Sequence, residues 1–228
     1  MFGSRARVST PAKGVLAARM VVAREPMRLV RADRAARDPH DGAWVSDDPV
    51  VLLDDTGSRV GQAPKSVVHH DDTPLHLAFS CWLRNADGEV LLTRRALSKV
   101  AWPGVWTNSF CGHPGPGEAV ADAVRRRAAE ELGIGAIDGL TEILPDFRYR
   151  AVDSSGIVEN ECCPVYVARL APGAALDANP DEVDSWDWVA PEVLIRAVDA
   201  TPFVFSPWLV DELADPRLRL ALTEPGSN

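Results

Sequence analysis

From Pro49 onward, short apolar runs alternate with clusters of turn-forming residues. Residues 50–53 read as a strand, closed by Asp54-Asp55-Thr56-Gly57. Residues 75–84 and 89–95 read as two strands joined at Asn85-Ala86-Asp87-Gly88, a hairpin signal. Residues 105–110 form a further short strand candidate. Residues 118–132 contain neither Gly nor Pro and are rich in Ala, Arg and Glu, which predicts a helix stopped by Gly133. Residues 147–151 and 157–170 read as strands around Asp153-Ser154-Ser155-Gly156. Pro164 lies inside the second of these and has no N–H to donate, so it marks an edge or a break. A Trp-bearing strand over 185–189 is followed by helix candidates over 191–198, with Pro in its first turn, and 206–214. Strands and helices that interleave irregularly, with hairpins, predict an α/β (α+β) fold in which helices pack on a mixed sheet.

Composition adds exclusions. Hydrophobic residues make up 46% and charged residues 25% of the 228, an ordinary globular balance that rules out a wholly disordered or collagen-like chain. No run approaches the ~18 consecutive apolar residues of a membrane span, so no membrane partner is expected. Four cysteines without a secretory signal read as reduced thiols in a cytoplasmic protein. Residues 1–40 hold nine Lys/Arg against three Asp/Glu, a net of +6, which leaves −15 of the total −9 on the rest. So acidic a body disfavours nucleic acid. Residues 1–48 read as a disordered N-terminal extension, although their Arg-rich, acid-poor composition also suits a transit peptide. Residues 49–228 read as one domain.

Three clusters carry candidate chemistry. The first is Gly112-x5-Glu118-x7-Arg126-x3-Glu130-Glu131-x-Gly133-Ile134. On a helix, positions 127, 130 and 131 share a face, while Glu118 is out of line with them. Carboxylates on one face suit Mg²⁺ bridging to phosphate oxygens, or simply a solvated face with Arg127–Glu131 pairing. The second is His69, His76, His113, Glu159 and Glu161; in a strand Glu159 and Glu161 point the same way, and imidazole plus carboxylate suits Zn²⁺ or Mn²⁺ and admits Mg²⁺. The third is Cys111, two residues from His113 in a Gly/Pro turn, readable as a reactive thiol or as a small buried hydrophobe.

The first spacing resembles the Nudix box, with one departure: Arg126-Arg127 stands where hydrolases have Arg-Glu. Arg127 is better suited to grip a diphosphate than to help hold hydrolytic metals. Together with Leu75-His76-Leu77-Ala78-Phe79-Ser80, Thr93-Arg94-Arg95-Ala96-Leu97-Ser98-Lys99, Trp102-Pro103-Gly104-Val105-Trp106-Thr107-Asn108, Cys111-Gly112-His113-Pro114, Glu159-Asn160-Glu161 and Ser206-Pro207-Trp208, the chain from about residue 51 to 208 resembles the type 1 isopentenyl diphosphate isomerase family. The resemblance implies a Nudix-like mixed sheet sandwiched between helices. It implies an enzyme of isoprenoid biosynthesis that moves a C=C bond by protonation and deprotonation. Cys111 and Glu161 would be the proton-transferring groups, with Tyr149 hydrogen-bonded near Glu161. Trp208 would face the carbocation. His69, His76, His113, Glu159 and Glu161 would hold a metal ion, and Mg²⁺ arriving with the diphosphate would bind Glu131 and the Cys111 carbonyl. Lys65, Arg95, Lys99 and Arg127 would hold the diphosphate. The partner is a small-molecule diphosphate and the chain a monomer or weak homodimer. Because the first 48 residues lie outside the resemblance, a chain starting near Pro49 is expected to keep its turnover; a large loss in folded, truncated protein would show that the head completes the site.

Overall fold

A computed structural model describes residues 48–224 and the backbone of Val30–Arg31. The expected disordered extension therefore lies almost wholly outside the described residues. Val30–Arg31 (β1) pairs antiparallel with the edge of the main sheet. The other strands are β2 (Pro49–Leu53), β3 (Arg59–Pro64), β4 (His76–Leu77), β5 (Phe79–Arg84), β6 (Val90–Arg95), β7 (Trp106–Thr107), β8 (Phe110–Gly112), β9 (Ile137–Leu144), β10 (Arg148–Val152), β11 (Val158–Cys162), β12 (Val165–Leu170) and β13 (Val183–Val189). The helices are α1 (Lys65–Val68), α2 (Val120–Leu132), α3 (Pro191–Ala200), α4 (Pro207–Ala214) and α5 (Pro216–Thr223). Among the described residues no helix is long and apolar enough to cross a membrane.

The main sheet runs β1-β13-β6-β5-β12-β9, with β7 paired to β6 and β8 to β5. Side chains alternate across it. Phe79, Cys81 and Leu83 of β5 pack with Ala123, Val124, Ala128 and Leu132 of α2 on one face. Trp82, Val165 and Val167 pack with Leu194, Leu209, Leu213 and Leu218 of α3, α4 and α5 on the other. A sheet covered on both faces explains why every residue of β5 is buried. The expected sheet sandwiched between helices is what forms.

The second sheet runs β10-β11-β4-β2-β3. Two segments read from sequence as single strands, 75–84 and 157–170, are each divided between the two sheets. The first breaks at Ala78, the second at Cys163-Pro164. Both breaks fall at the same level, because β11 pairs parallel with β4 and β12 with β5. Ala78 N–H donates to Cys162 O at 2.9 Å and Ser80 N–H to Pro164 O at 3.1 Å, so the paired strands fork together. Pro164 is thus a break rather than an edge. The helix begins at Val120, two residues later than expected, so Glu118 lies before the first turn of α2. Gly133 ends the helix as expected, at φ +65°; a Cβ there would meet Asp177 O at 2.5 Å.

Glu212 of α4 is fully buried against β5. One oxygen, Oε2, accepts from Ser80 Oγ at 2.9 Å and Trp82 Nε1 at 2.6 Å. Burial pushes its pKa up to about 8 against those two hydrogen bonds, from an ordinary 4.5. Between those values the folded chain holds a proton that the unfolded chain has released. Stability is therefore lost as pH rises through that window, by at most about 1.4 kcal/mol per pH unit. Glu212→Gln removes the dependence. Its melting temperature should rise relative to the parent as pH goes from 5 to 8; a pH-independent difference would show that the folded carboxyl is ionised throughout.

Candidate active site

The fork between the sheets sets the floor of the site. In β10–β11 Tyr149 pairs with Glu161, and in β11–β4 Glu161 pairs with His76, so three side chains stand in a row on one face. Glu159 shares that face two residues earlier. The end of β8 delivers Cys111, Gly112 and His113 from the main sheet. Gly112 is required there: a Cβ would lie 2.7 Å from Arg127 Cγ and 3.0 Å from the Phe79 ring.

His113 Nε2 lies 3.1 Å and His76 Nε2 3.3 Å from the same oxygen, Glu161 Oε1. His69 Nε2 lies 3.1 Å from Glu159 Oε2. The ligating atoms of His69, His76, His113 and Glu161 all fall within 4.8 Å of one another. Pro74 O lies 2.9 Å from His76 Nδ1 and assigns the ring proton there, leaving an Nε2 lone pair aimed into the cluster. His76 Nε2, His113 Nδ1 and Glu159 Oε2 are buried without hydrogen-bond partners. Orphaned lone pairs at such depth are costly unless something electropositive sits among them. Three imidazoles and a carboxylate fit a divalent cation of the Zn²⁺, Mn²⁺ or Mg²⁺ type. Burial drives the His113 pKa down to about 3, against the pull of Glu161. His76 is buried too, but the Glu161 carboxylate beside it outweighs burial and raises its pKa. Glu161 is held well below the usual carboxylate range: burial raises its pKa, and the His113 hydrogen bond together with the two imidazoles beside it overcomes that.

The opposite end is cationic. Arg127 ion-pairs with Glu130 at 2.8 Å, with Glu131, and with Glu182 at 3.3 Å; Lys99 pairs with Glu182. Arg95 donates to Ala101 O through Nε at 3.2 Å and Nη2 at 2.9 Å. Burial lowers the pKa of Lys65, as does Arg127. Burial takes Lys99 down to about 7, with Glu131 opposing and Arg95, Lys65 and Arg127 adding to the fall. Four cations in mutual repulsion are relieved by a multivalent anion. Arg126 serves otherwise: its fork grips Glu118 through two 2.8 Å bonds and reaches His113 O at 3.2 Å, fastening the loop before α2.

Between the two ends lies a cavity of about 220 Å³. Its lining includes every residue expected from sequence except His76: Lys65, His69, Arg95, Lys99, Cys111, His113, Arg127, Glu131, Tyr149, Glu159, Glu161 and Trp208. His76 joins through the imidazole cluster. Glu159, Glu131 and Cys111 stand outside that four-residue cluster, Glu159 turned to His69 and Glu131 held by Arg127. Burial keeps Cys111 a thiol and Tyr149 a phenol, both with pKa well above normal. The Tyr149 and Trp208 rings meet at 5.5 Å, and Arg95 Cζ lies 5.6 Å above the Trp208 ring. Glu182 sits in an unpatterned loop before β13 and carries no signal in the sequence, and Asn108 carries none beyond its place in the Trp102–Asn108 segment.

The NUDIX domain model matches residues 74–209. An isopentenyl-diphosphate Delta-isomerase of Corynebacterium glutamicum is 59% identical over 177 residues, 77% of this chain and 94% of that protein. One from Paenarthrobacter aurescens is 61% identical over 160 residues, 70% of this chain and 85% of that protein. The chain belongs to the type 1 isopentenyl-diphosphate isomerase family, within the NUDIX superfamily. The isomerase-family chain also shares its fold with the crystal structure of a Deinococcus radiodurans protein, DR0079, at TM-score 0.56 and 22% identity, over 73% of this chain and 98% of that one. If the imidazole cluster of this isomerase-family protein holds a cation, His69→Ala, His76→Ala and His113→Ala should each weaken metal affinity by at least the ~10–100-fold that loss of a ligand's supporting partner costs. Metal content after dialysis measures this; three variants that load metal like the parent would make the cluster structural.

Proposed function

We infer that this chain is an isomerase interconverting isopentenyl and dimethylallyl diphosphate, with Cys111 and Glu161 as its two proton-transferring groups. The observation that carries the reading is one cavity lined by a thiol, a carboxylate and an aromatic ring face, with four cationic groups at one end. Lys65, Arg95, Lys99 and Arg127 bind the diphosphate and thereby fix the hydrocarbon end against the far wall. Glu131, with help from the Cys111 carbonyl, would hold a Mg²⁺ ion arriving with the diphosphate and so help neutralise its charge. Isomerisation needs one group to give a proton to an alkene carbon and another to remove one from a neighbouring carbon. Cys111, protonated by burial, and Glu161, ionised among imidazoles, are in the complementary states this requires. Tyr149 stands opposite Glu161 in the ladder and lines the same cavity, with no hydrogen bond joining it to that carboxylate.

His69, His76, His113 and Glu161, with Glu159 behind His69, would hold a divalent cation, which when bound lowers the proton affinity of Glu161. The ring of Trp208 offers its face to a tertiary carbocation, worth roughly 2 kcal/mol in a dry site. Tyr149, Trp208 and Phe110 exclude water that would otherwise capture that cation as an alcohol.

Product analysis with isopentenyl diphosphate and Mg²⁺ alone tests the reading. The parent should form dimethylallyl diphosphate, and Cys111→Ala should lower turnover by about 10²–10⁴-fold while still binding the diphosphate. Near-normal turnover of the alanine variant would remove Cys111 from the chemistry.

A further inference from the structure

We infer that Asn108 is a positioning residue that sets the Cys111 thiol and the Trp208 ring relative to one another, and that buried Glu212, acting through Ser80, holds Asn108 in place. The inference rests on the isomerase reading for its functional meaning.

The orientation of the Asn108 amide follows from partners that have only one role. Its Oδ1 faces Trp208 Nε1 at 3.0 Å, an indole N–H that can only donate, and Thr107 Oγ1 at 2.8 Å. Its Nδ2 faces two backbone carbonyls that can only accept, Phe110 O at 3.0 Å and Cys81 O at 3.2 Å. A flipped amide would set N–H against N–H and C=O against C=O. Cys111 Sγ then lies 3.2 Å from Nδ2 and 3.4 Å from Oδ1. As a thiol it can donate S–H to Oδ1; as a thiolate it can accept from Nδ2. The amide therefore holds Cys111 Sγ against both its ends while the same Oδ1 takes the Trp208 indole N–H, which fixes thiol and ring relative to one another.

The remaining Nδ2 partner is Ser80 Oγ at 2.9 Å. A serine hydroxyl has one proton, and Ser80 gives it to Glu212 Oε2, so its lone pairs are turned to Asn108. Glu212 Oε2 also takes the Trp82 indole N–H, and with two donors on it that oxygen acts as an acceptor whichever state the carboxyl is in. Ser80, Asn108 and Glu212 have no solvent exposure, so water cannot replace a missing member. Glu212 itself does not line the cavity. Its reach to the thiol runs entirely through Ser80 and Asn108.

Three variants test the chain of contacts in the metal-loaded enzyme: Ser80→Ala, Glu212→Leu and Glu212→Gln. Two readouts are needed. One is kcat and KM for isopentenyl diphosphate. The other is the pH profile of Cys111 alkylation by iodoacetamide, resolved from Cys81, Cys162 and Cys163 by peptide mass mapping. Ser80→Ala and Glu212→Leu should each lower kcat, by up to about 10²-fold for a misplaced group, with KM unchanged. Both should shift Cys111 alkylation to higher pH, because the thiolate loses a fixed donor. Combining them should cost no more than either alone. Glu212→Gln presents a carbonyl oxygen to the same two donors and should restore both readouts. If Glu212→Leu fails to fold, Ser80→Ala decides, since it leaves the Trp82–Glu212 bond in place. Parent-like kcat and alkylation in Ser80→Ala, or a glutamine variant as impaired as the leucine variant, would overturn the inference. A parent enzyme that forms no dimethylallyl diphosphate would overturn the isomerase reading instead, and the alkylation profiles would still decide the contact chain.

Discussion

Glu161 is a carboxylate almost out of contact with water, and His76 and His113 converge on one of its oxygens. Burying an anion is expensive unless donors or cations surround it. The fold meets that need through register. Because β4 and β11 pair parallel in the second sheet and run on side by side into β5 and β12 of the main sheet, His76 is brought beside Glu161 while β8 carries His113 in from the main sheet. Slipping either ladder by one residue would turn these side chains to the opposite face. The forked sheets are therefore a device for assembling a buried cluster of imidazoles and carboxylates whose lone pairs exceed the protons available to them.

The rest of the cavity is arranged against that cluster. The far end concentrates Lys65, Arg95, Lys99 and Arg127, and the wall between is thiol, phenol and indole. Arg127 shows how the box departs from hydrolysis. A glutamate at this position would stand beside Glu130, Glu131 and Glu182, a set of carboxylates able to gather metal ions around a phosphate. The arginine instead ties all three into ion pairs and leaves its guanidinium at the cavity. Such an end can grip a diphosphate while offering fewer ligands for the ions that would cleave it.

Much of this was legible in the residues. The hairpin at Asn85–Gly88, the α2 helix and its stop at Gly133, and the Glu159/Glu161 alternation all follow from short-range chemistry and appear as expected. The strands β3 and β9 were not foreseen. Both are sheet-edge strands, β3 exposed along nearly its whole length and β9 along half of it, and β9 is further irregular through Gly139 at φ +59° and two register shifts, so neither shows clean alternation. The sharing of residues 75–84 and 157–170 between two sheets was also hidden, because a continuous apolar run reads the same whether or not the strand changes partners. Glu182 and Glu212 carry no local signal at all. Their roles come from residues more than fifty positions away, Arg127, Ser80 and Trp82, which only the folded chain brings to them.

The central claim is that the site moves carbon-bound protons and leaves the diphosphate whole. It is tested most directly by incubating the enzyme with isopentenyl diphosphate and Mg²⁺ in D₂O and reading the products by NMR. A proton-transferring pair that equilibrates with solvent between turnovers should place deuterium in a methyl group of dimethylallyl diphosphate, with inorganic phosphate at the level of the enzyme-free control. Phosphate release without allylic product would contradict the account and return the site to hydrolysis.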